Sequence, residues 1–517
     1  MEKKKTLIAP KIVAVVDIGS TAIRIVIAEI DEKGDWKRLD RATKPVPLGR
    51  DVFMSGHLTR ETMLQAIRIL SGFLEMLSGW HIGPRDVRVI ATSAIREAKN
   101  RDTFVDRVFI RTGLRINIIE GVEENHLTYL AVQHAVHDMP GPFTRSSSLI
   151  IEVGGGTTEV MLLDRGNMVA AHSFRIGTVR IEQQVRPRWE SNTQMEGYLR
   201  ENLRGTLEIM NTELRLARVH YFVAVGGDAR LAAARAGTKE AEHYWIIEKA
   251  DFAGFLAQLA ELSVDEIVTQ LGVTYNEAEG LYPALVIYNL FLEATGARQL
   301  IVPDVSIREG MLVSFALGNT SDVRAELYGQ VVTSAKSLGR KFHYDEKHAI
   351  HVAKLALAFF DQFQNDHGLE HHARLLMEVA AILHDIGNFV RSSGHHKHGQ
   401  YIVANSEIFG LSREDIRIIS NVVRYHRKSM PLASHPSFVS LRQEQRLIVL
   451  KLAAMLRVAD GLDRSHQQRV QTFRLEVAEG DLLVDCTHQG DISVERYGMA
   501  VKALMFEEVF GYHVVIT

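Results

Sequence analysis

The residues that could do chemistry first gather at Ile150-Ile-Glu-Val-Gly-Gly-Gly-Thr-Thr-Glu-Val160, where an apolar run enters three glycines, two hydroxyls and a carboxylate. Glycine lets a backbone turn freely and approach a ligand with no Cβ in the way. Successive amides in such a loop cradle anions. Gly154, Gly155 and Gly156 are therefore candidate phosphate-binding positions, and Thr157 and Thr158 add donors. Glu152 and Glu159 bracket the loop with negative charge. Phosphate sits beside two carboxylates only across a cation, so the pattern points to a phosphate–Mg²⁺ site. Taken alone, the stretch also reads as a glycine-rich β-hairpin. The pattern recurs at Ile12-Val-Ala-Val-Val-Asp-Ile-Gly-Ser-Thr21, which offers Asp17, Gly19, Ser20 and Thr21. A third loop, Phe222-Val-Ala-Val-Gly-Gly-Asp228, offers Gly226 and Gly227.

Histidine carries a second chemistry. The chain has 23 histidines, crowded between His343 and His466. His348 shares a helical stripe with Val352, Leu355 and Phe359, so it points inward. His384-Asp385 ends an apolar helical run, with Gly387 as the expected C-cap. Leu452, Leu456 and Asp460 share one helical face, and an inward aspartate is costly to bury without a cation. Imidazole plus carboxylate suits Mn²⁺, Fe, Zn²⁺ or Mg²⁺. His395, His396, His398 and His426 lie near in sequence.

These residues need elements to hold them. Strands flank both acid–glycine loops, and a helix start is read at Leu58-Thr-Arg-Glu61 with Thr59 as N-cap. Met63, Ile67, Leu70, Leu74 and Leu77 then give it a buried face. A long amphipathic helix is expected near residues 192–219. Residues 12–127 and 128–316 read as two α/β domains, 322–469 as a helical domain and 470–517 as a small β-containing end. Residues 140–148 and 317–322 read as loop and linker.

Composition narrows the classes. The 517 residues are 46% hydrophobic and 24% charged, ordinary for a soluble globular protein. A net charge of −3 gives no global basic field, so no nucleic-acid partner is expected. Basic residues gather locally at Arg175, Arg180, Arg186 and Arg188, at Lys336, Arg340 and Lys341, and at Lys397, Arg424, Arg427 and Lys428. On one groove they would form a track for a polyanion. The single Cys486 excludes an intrachain disulfide and a cysteine zinc cluster. The apolar run Leu281 to Leu292 is too short to span a bilayer, and no secretory signal is evident before Lys11. A cytoplasmic protein without membrane contact is expected, and a homodimer is the expected assembly.

The order of Asp17-Ile-Gly-Ser20, Ala91-Thr-Ser-Ala-Ile-Arg96, Glu120-Gly-Val-Glu-Glu124, Gly154-Gly-Gly-Thr-Thr-Glu159 and Ile307-Arg-Glu-Gly310 resembles the exopolyphosphatase/guanosine pentaphosphate phosphohydrolase family. The resemblance implies an α/β fold of two actin-like (ribonuclease H-like) domains, then the helical and small C-terminal pieces of the long members. It implies Mg²⁺-dependent removal of the terminal phosphate of polyphosphate or guanosine pentaphosphate. Glu124 would activate water, Arg96 would clamp phosphate, and Asp17, Glu152 and Glu159 would position metal and water. The chain departs from the family at Asn125-His126, where Ala-Arg is usual, and at Glu152, where Asp is usual. It also departs at Asp228, at Val305-Ser306 and at Thr21-Ala22.

His348, His384, Asp385 and Asp460 resemble the ligands of HD metal-dependent phosphohydrolases. Histidines placed like His398 and His426 complete a second metal site in two-metal members. Two alternatives therefore stand beside the leading reading. The helical domain could hydrolyse a nucleotide or alarmone, or the chain could be a polyphosphate- or alarmone-binding regulator.

Overall fold

The computed structural model describes residues 10–31, 35–137, 139, 146–184, 192–241, 243–317, 321–478 and 480–517. The chain divides into two units, residues 1–325 and 326–517.

In the first unit, strands β1 (Lys11–Ile18), β2 (Ala22–Ile30), β3 (Trp36–Pro45), β4 (Val87–Ala91) and β5 (Ile116–Ile118) form a sheet in the order β3-β2-β1-β4-β5. β1 and β2 are near-continuous apolar runs because both faces of the sheet are covered. Ala14, Val16 and Ile18 pack into one core with Met63, Leu70 and Phe73 of helix Arg60–Gly79. Thr59 caps that helix by accepting from the Thr62 amide, as expected. Val13 and Val15 face the other way, into a cluster with Leu312 and Ala316 of helix Ile307–Leu317. This late helix thus covers the first sheet.

The second sheet repeats the topology. It uses β6 (Ser147–Val153), β7 (Thr158–Asp164), β8 (Asn167–Phe174), β9 (Val219–Val225), β10 (Thr238–Lys239), β11 (Tyr244–Glu248) and β12 (Gln299–Pro303). Its order is β10-β11-β12-β9-β6-β7-β8. In each sheet an antiparallel three-strand meander is followed by two parallel strands, so β1–β2 and β6–β7 are equivalent hairpins. The helix expected over 192–219 ends at Leu214, because Val219 opens β9. The expected boundary at 127/128 falls inside helix Gly121–Ala135. Most of the proline-bearing loop at 140–148 lies outside the described residues.

The second unit is helical around one core. Its small sheet, β13 (Val470–Ala478), β14 (Asp481–His488) and β15 (His513–Ile516), sends Phe473, Leu482, Val484 and Val514 into the same cluster as Phe359 and Phe363. Among the described residues no helix is long and apolar enough to cross a membrane.

Gly310 fixes a helix crossing on which the first unit depends. A Cβ there would collide with the Leu127 carbonyl of helix Gly121–Ala135. Helix propensity alone favours alanine by about 1 kcal/mol. Overpacking costs about 1–3 kcal/mol, so Gly310→Ala should lower stability in denaturant unfolding. An equal or raised midpoint would contradict this packing.

Candidate functional site

The two equivalent hairpin turns meet. In β6–β7, Glu152 stands directly opposite Glu159, whereas in β1–β2 Asp17 stands opposite Arg24. Like charges across a ladder repel. Asp17, Glu152 and Glu159, expected to position a metal, do not form one of the groups of described residues whose ligand atoms lie within 4.8 Å of one another. A Cβ on Gly155 would lie 2.9 Å from Ser20 Cβ, and one on Gly156 2.5 Å from Phe53 Cζ and from Ser93 Oγ. None of Gly154, Gly155 and Gly156 has left-handed φ. Gly155 and Gly156 are therefore required by the approach of the opposing lobe, rather than by the free turning expected of them.

A cleft of about 310 Å³ opens between the loops. It is lined by Asp17, Gly19, Ser20, Glu124, Glu152, Gly154, Gly155, Thr157, Glu159, Gly226 and Gly227. Four expected site residues lie elsewhere. Gly156 is covered by Phe53 and Ser93. Thr158 is buried and donates to the Ile176 carbonyl at 2.6 Å. Thr21 faces a separate groove with Arg50 and Glu279. Arg96 sits behind the wall, where its guanidinium pairs with Glu124 and donates to the Ile119 carbonyl at 2.6 Å. Its guanidinium thus lies against Glu124 and is not part of the cleft lining.

The cations in the cleft are Arg24, Arg230 and Arg308, which sequence reasoning did not select. Arg24 was legible as the cross-strand partner of Asp17, and Arg308 lies inside the quoted Ile307-Arg-Glu-Gly310. Against these three arginines stand six carboxylates: Asp17, Glu124, Glu152, Glu159, Asp228 and Glu277.

Helix Gly121–Ala135 aims Glu124. Glu120 and Glu123 form its capping box, with the Glu120 amide donating to Glu123 Oε2 at 2.9 Å. Glu123 is thus spent on the helix end, and Glu124, the next residue, reaches the cleft. Burial pushes the Glu124 carboxyl up to about 7, opposed by Arg96 and reinforced by the charges of Glu152 and Asp17. Burial and the charge of Glu124 hold Glu159 well above the usual carboxylate range, although Ser173 Oγ donates to its Oε1 at 2.7 Å. Burial likewise raises Glu152, which accepts from Thr128 Oγ1 at 2.5 Å, and lifts Asp228 to about 6. Asn125 and His126 do not line the cleft, and burial lowers His126 to about 4. Of the departures from the family pattern, Glu152, Asp228 and Ser306 touch the cleft.

Some residues of the expected basic track are paired, while Arg427 and Lys428 line a cleft of the second unit. Arg175 and Arg180 both bind Glu97, Arg340 binds Glu346, and Arg424 donates to Gln400 Oε1 at 2.7 Å. Arg186 and Arg188 lie outside the described residues.

In the second unit, His348, His384 and Asp460 bring one ligand atom each within 4.8 Å of one another. Asp385, His395 and His426 form a second such group. His398 does not join it. It lies one turn into helix His395–Ala404, while His395 at the helix start reaches Asp385 Oδ1 at 3.0 Å. Gly387 does not act as a left-handed C-cap either. A Cβ there would collide with the His395 carbonyl, so this glycine lets the second histidine helix close on the His384-Asp385 turn. The sequence reading also missed Asp463, 2.8 Å from His348 Nδ1, and His466, stacked 3.6 Å from the His348 ring. Asp463 lies three residues past Asp460, one turn along the chain.

Comparison with known proteins agrees with this architecture. The family model described as Ppx/GppA phosphatase matches residues 26–318, and that of Ppx/GppA phosphatase domain III matches 332–487. A guanosine-5'-triphosphate,3'-diphosphate pyrophosphatase of Photobacterium profundum is 24% identical over 487 residues, covering 91% of this chain and 90% of the relative. One of the same name from Pseudoalteromonas atlantica is 25% identical over 482 residues, 90% of each. Among solved structures, an exopolyphosphatase from Cytophaga hutchinsonii aligns with TM-score 0.53 at 22% identity, over 60% of this chain and 99% of its own. The Aquifex aeolicus member of the Ppx/GppA family aligns with TM-score 0.51 at 24% identity, over 60% and 100%. These likenesses show the fold of the first unit.

The raised carboxyls make stability depend on pH. A carboxyl whose folded value lies above its unfolded one holds its proton more tightly when folded. Its contribution is full below about pH 4.5 and is lost as pH rises through about 7 for Glu124. Without divalent cations, wild type should lose more thermal stability between pH 5 and pH 8 than Glu124→Gln. Equal losses would contradict the raised carboxyl.

Proposed function

The chain belongs to the Ppx/GppA phosphatase family, and on that premise we propose that its α/β unit hydrolyses the terminal phosphoanhydride of inorganic polyphosphate or guanosine pentaphosphate. The observation that carries this reading is Glu124, held by Arg96 in a cleft shared with the opposed Glu152–Glu159 pair.

Each wall has a part. Glu124 accepts the proton of the attacking water, whose oxygen bonds to the terminal phosphorus as the P–O anhydride bond breaks. A carboxyl near 7 is well matched to that task at neutral pH. Arg96 keeps the carboxylate oriented. Arg24, Arg230 and Arg308 neutralise phosphate oxygens, and Ser20 and Thr157 donate from the two loops. Asp17, Glu152 and Glu159 are oxygen donors of the kind Mg²⁺ takes, and an excess of acids over arginines supports a cation there. Bound Mg²⁺ would supply charge neutralisation for the phosphate oxygens.

A second reading applies to the helical unit. His348, His384, Asp385 and Asp460 converge as an HD-type ligand set would, which supports a site for a divalent Mn, Fe or Zn ion.

Phosphate release from long-chain polyphosphate and from guanosine pentaphosphate, with Mg²⁺, tests the first reading. Glu124→Gln should reduce release by about 10²–10⁴-fold, while His384→Ala/Asp385→Ala should retain it. Loss only in the latter variant would move the chemistry to the helical unit. Tight substrate binding without turnover in wild type would leave a regulator instead.

A further inference from the structure

In helix Tyr275–Glu293 of the first unit, residues 281–288 are all buried. A helix segment apolar all round is a core element, and the polar groups on this one are the phenols of Tyr282 and Tyr288. A buried tyrosine hydroxyl needs partners. Tyr282 donates to Glu196 Oε2 at 3.1 Å. Tyr288 donates to the Val225 carbonyl at 2.5 Å and accepts from the Val153 amide at 3.2 Å. Burial, with the charge of Asp228 adding to it, holds the Tyr288 phenol well above its usual range, so the donor keeps its proton.

Both partners of Tyr288 sit at strand ends. Val153 closes β6 and is followed by Gly154, and Val225 closes β9 and is followed by Gly226. β6 and β9 are parallel neighbours, paired as far as Glu152 and Val225. One step further, the Tyr288 oxygen stands between the amide of one strand and the carbonyl of the other. The strands therefore part around a single oxygen where two loops begin, and Gly154, Gly155, Gly226 and Gly227 of those loops all line the cleft. Gly226 makes room for the hydroxyl: its φ is +138°, and a Cβ there would lie 2.9 Å from the Tyr288 oxygen. Tyr288 itself is not part of the cleft lining.

Without the hydroxyl, two arrangements are open to the backbone. The Val153 amide and the Val225 carbonyl stay apart, buried and unpaired, which is costly. Alternatively they close on each other as one more rung of the ladder, at about 2.9 Å, and draw the loops together. The first removes the restraint on the gap between the loops, and the second shortens the gap.

We propose that Tyr288 is a positioning residue of the α/β cleft, whose hydroxyl sets the spacing between the Gly154–Gly155 loop and the Gly226–Gly227 loop so that both hold one oligophosphate. The proposal rests on the polyphosphate or guanosine pentaphosphate reading. It deepens that reading by assigning recognition of a phosphate chain, as distinct from a single phosphate, to a residue that touches no substrate. Orthophosphate is too small to bridge the loops and does not sense their spacing.

The test uses the full chain carrying Glu124→Gln, so that ligand is not consumed, in calorimetric titrations with tripolyphosphate and with orthophosphate, both with Mg²⁺. A misplacement near 1 Å costs up to about 10²-fold, so adding Tyr288→Phe should weaken tripolyphosphate binding by roughly 10–10²-fold. Orthophosphate should bind as it does without that change. Tyr288→4-aminophenylalanine, which returns a donor for the Val225 carbonyl, should regain part of the lost affinity. Tyr282→Phe, which removes the other hydroxyl of the same buried segment, should leave both affinities unchanged. Thermal unfolding shows that each variant is folded at the titration temperature. Unchanged tripolyphosphate affinity in Tyr288→Phe would overturn the proposal, and so would an equal loss for both ligands, which marks a tyrosine that only stabilises the fold. Phosphate release from tripolyphosphate is measured alongside with Glu124 intact. Release that is the same with and without Tyr288→Phe would overturn the positioning role and leave the hydrolase reading standing. Binding without release would remove the hydrolase reading and leave the role of Tyr288 to be decided by the affinities. No binding of tripolyphosphate would overturn both.

Discussion

The first unit is organised by a surplus of negative charge lining one cleft. Six carboxylates share a cleft with three arginines, and two of the acids, Glu152 and Glu159, stand opposite each other on neighbouring strands. Burial raises the proton affinity of both, with the charge of Asp17 adding to it at Glu152 and that of Glu124 at Glu159, so their charged forms oppose folding. The pair persists because the scaffold leaves it no freedom to separate. β6 and β7 are buried ladder strands, and their register places both side chains at the same level. On the proposed function, a divalent cation with phosphate would turn this local cost into binding energy.

Glycines give the same scaffold its close approaches. Gly155 and Gly156 admit Ser20, Phe53 and Ser93 of the opposite lobe, and Gly310 admits the backbone of the helix that carries Glu124. Gly387 does the same in the second unit by admitting the His395 carbonyl. Each is a point where backbone or side chain occupies the volume of a Cβ. The positions of Glu124 and Asp385 therefore depend on packing at residues that carry no functional group.

Much of this was legible in the sequence because the signals were local. The acid–glycine–hydroxyl hairpins, the Thr59 cap and the inward His348 and Asp460 follow from residue order and helical period. What was not legible depended on pairing across elements. Arg96 looked like a phosphate clamp, but the chain return at Ile119 and Glu124 takes up its guanidinium. Thr158 looked like a donor to ligand, but the β7 register turns it to Ile176. His398 and His395 differ by less than one helical turn, and only the packing of Gly387 against the His395 backbone decides between them. Arg24, Arg230 and Arg308 come from three separated stretches, and nothing in their local sequence announces that they meet.

The most direct measurement is calorimetric titration of Mg²⁺ at pH 6.5 in two buffers of different ionisation enthalpy, comparing wild type with Glu159→Gln. Glu159, raised by burial and by Glu124, must release its proton to ligate a cation. Wild type should therefore release protons on binding Mg²⁺, and the variant should bind more weakly with less release. Equal affinity and equal proton release in both proteins would contradict a cation site built on the opposed carboxylates.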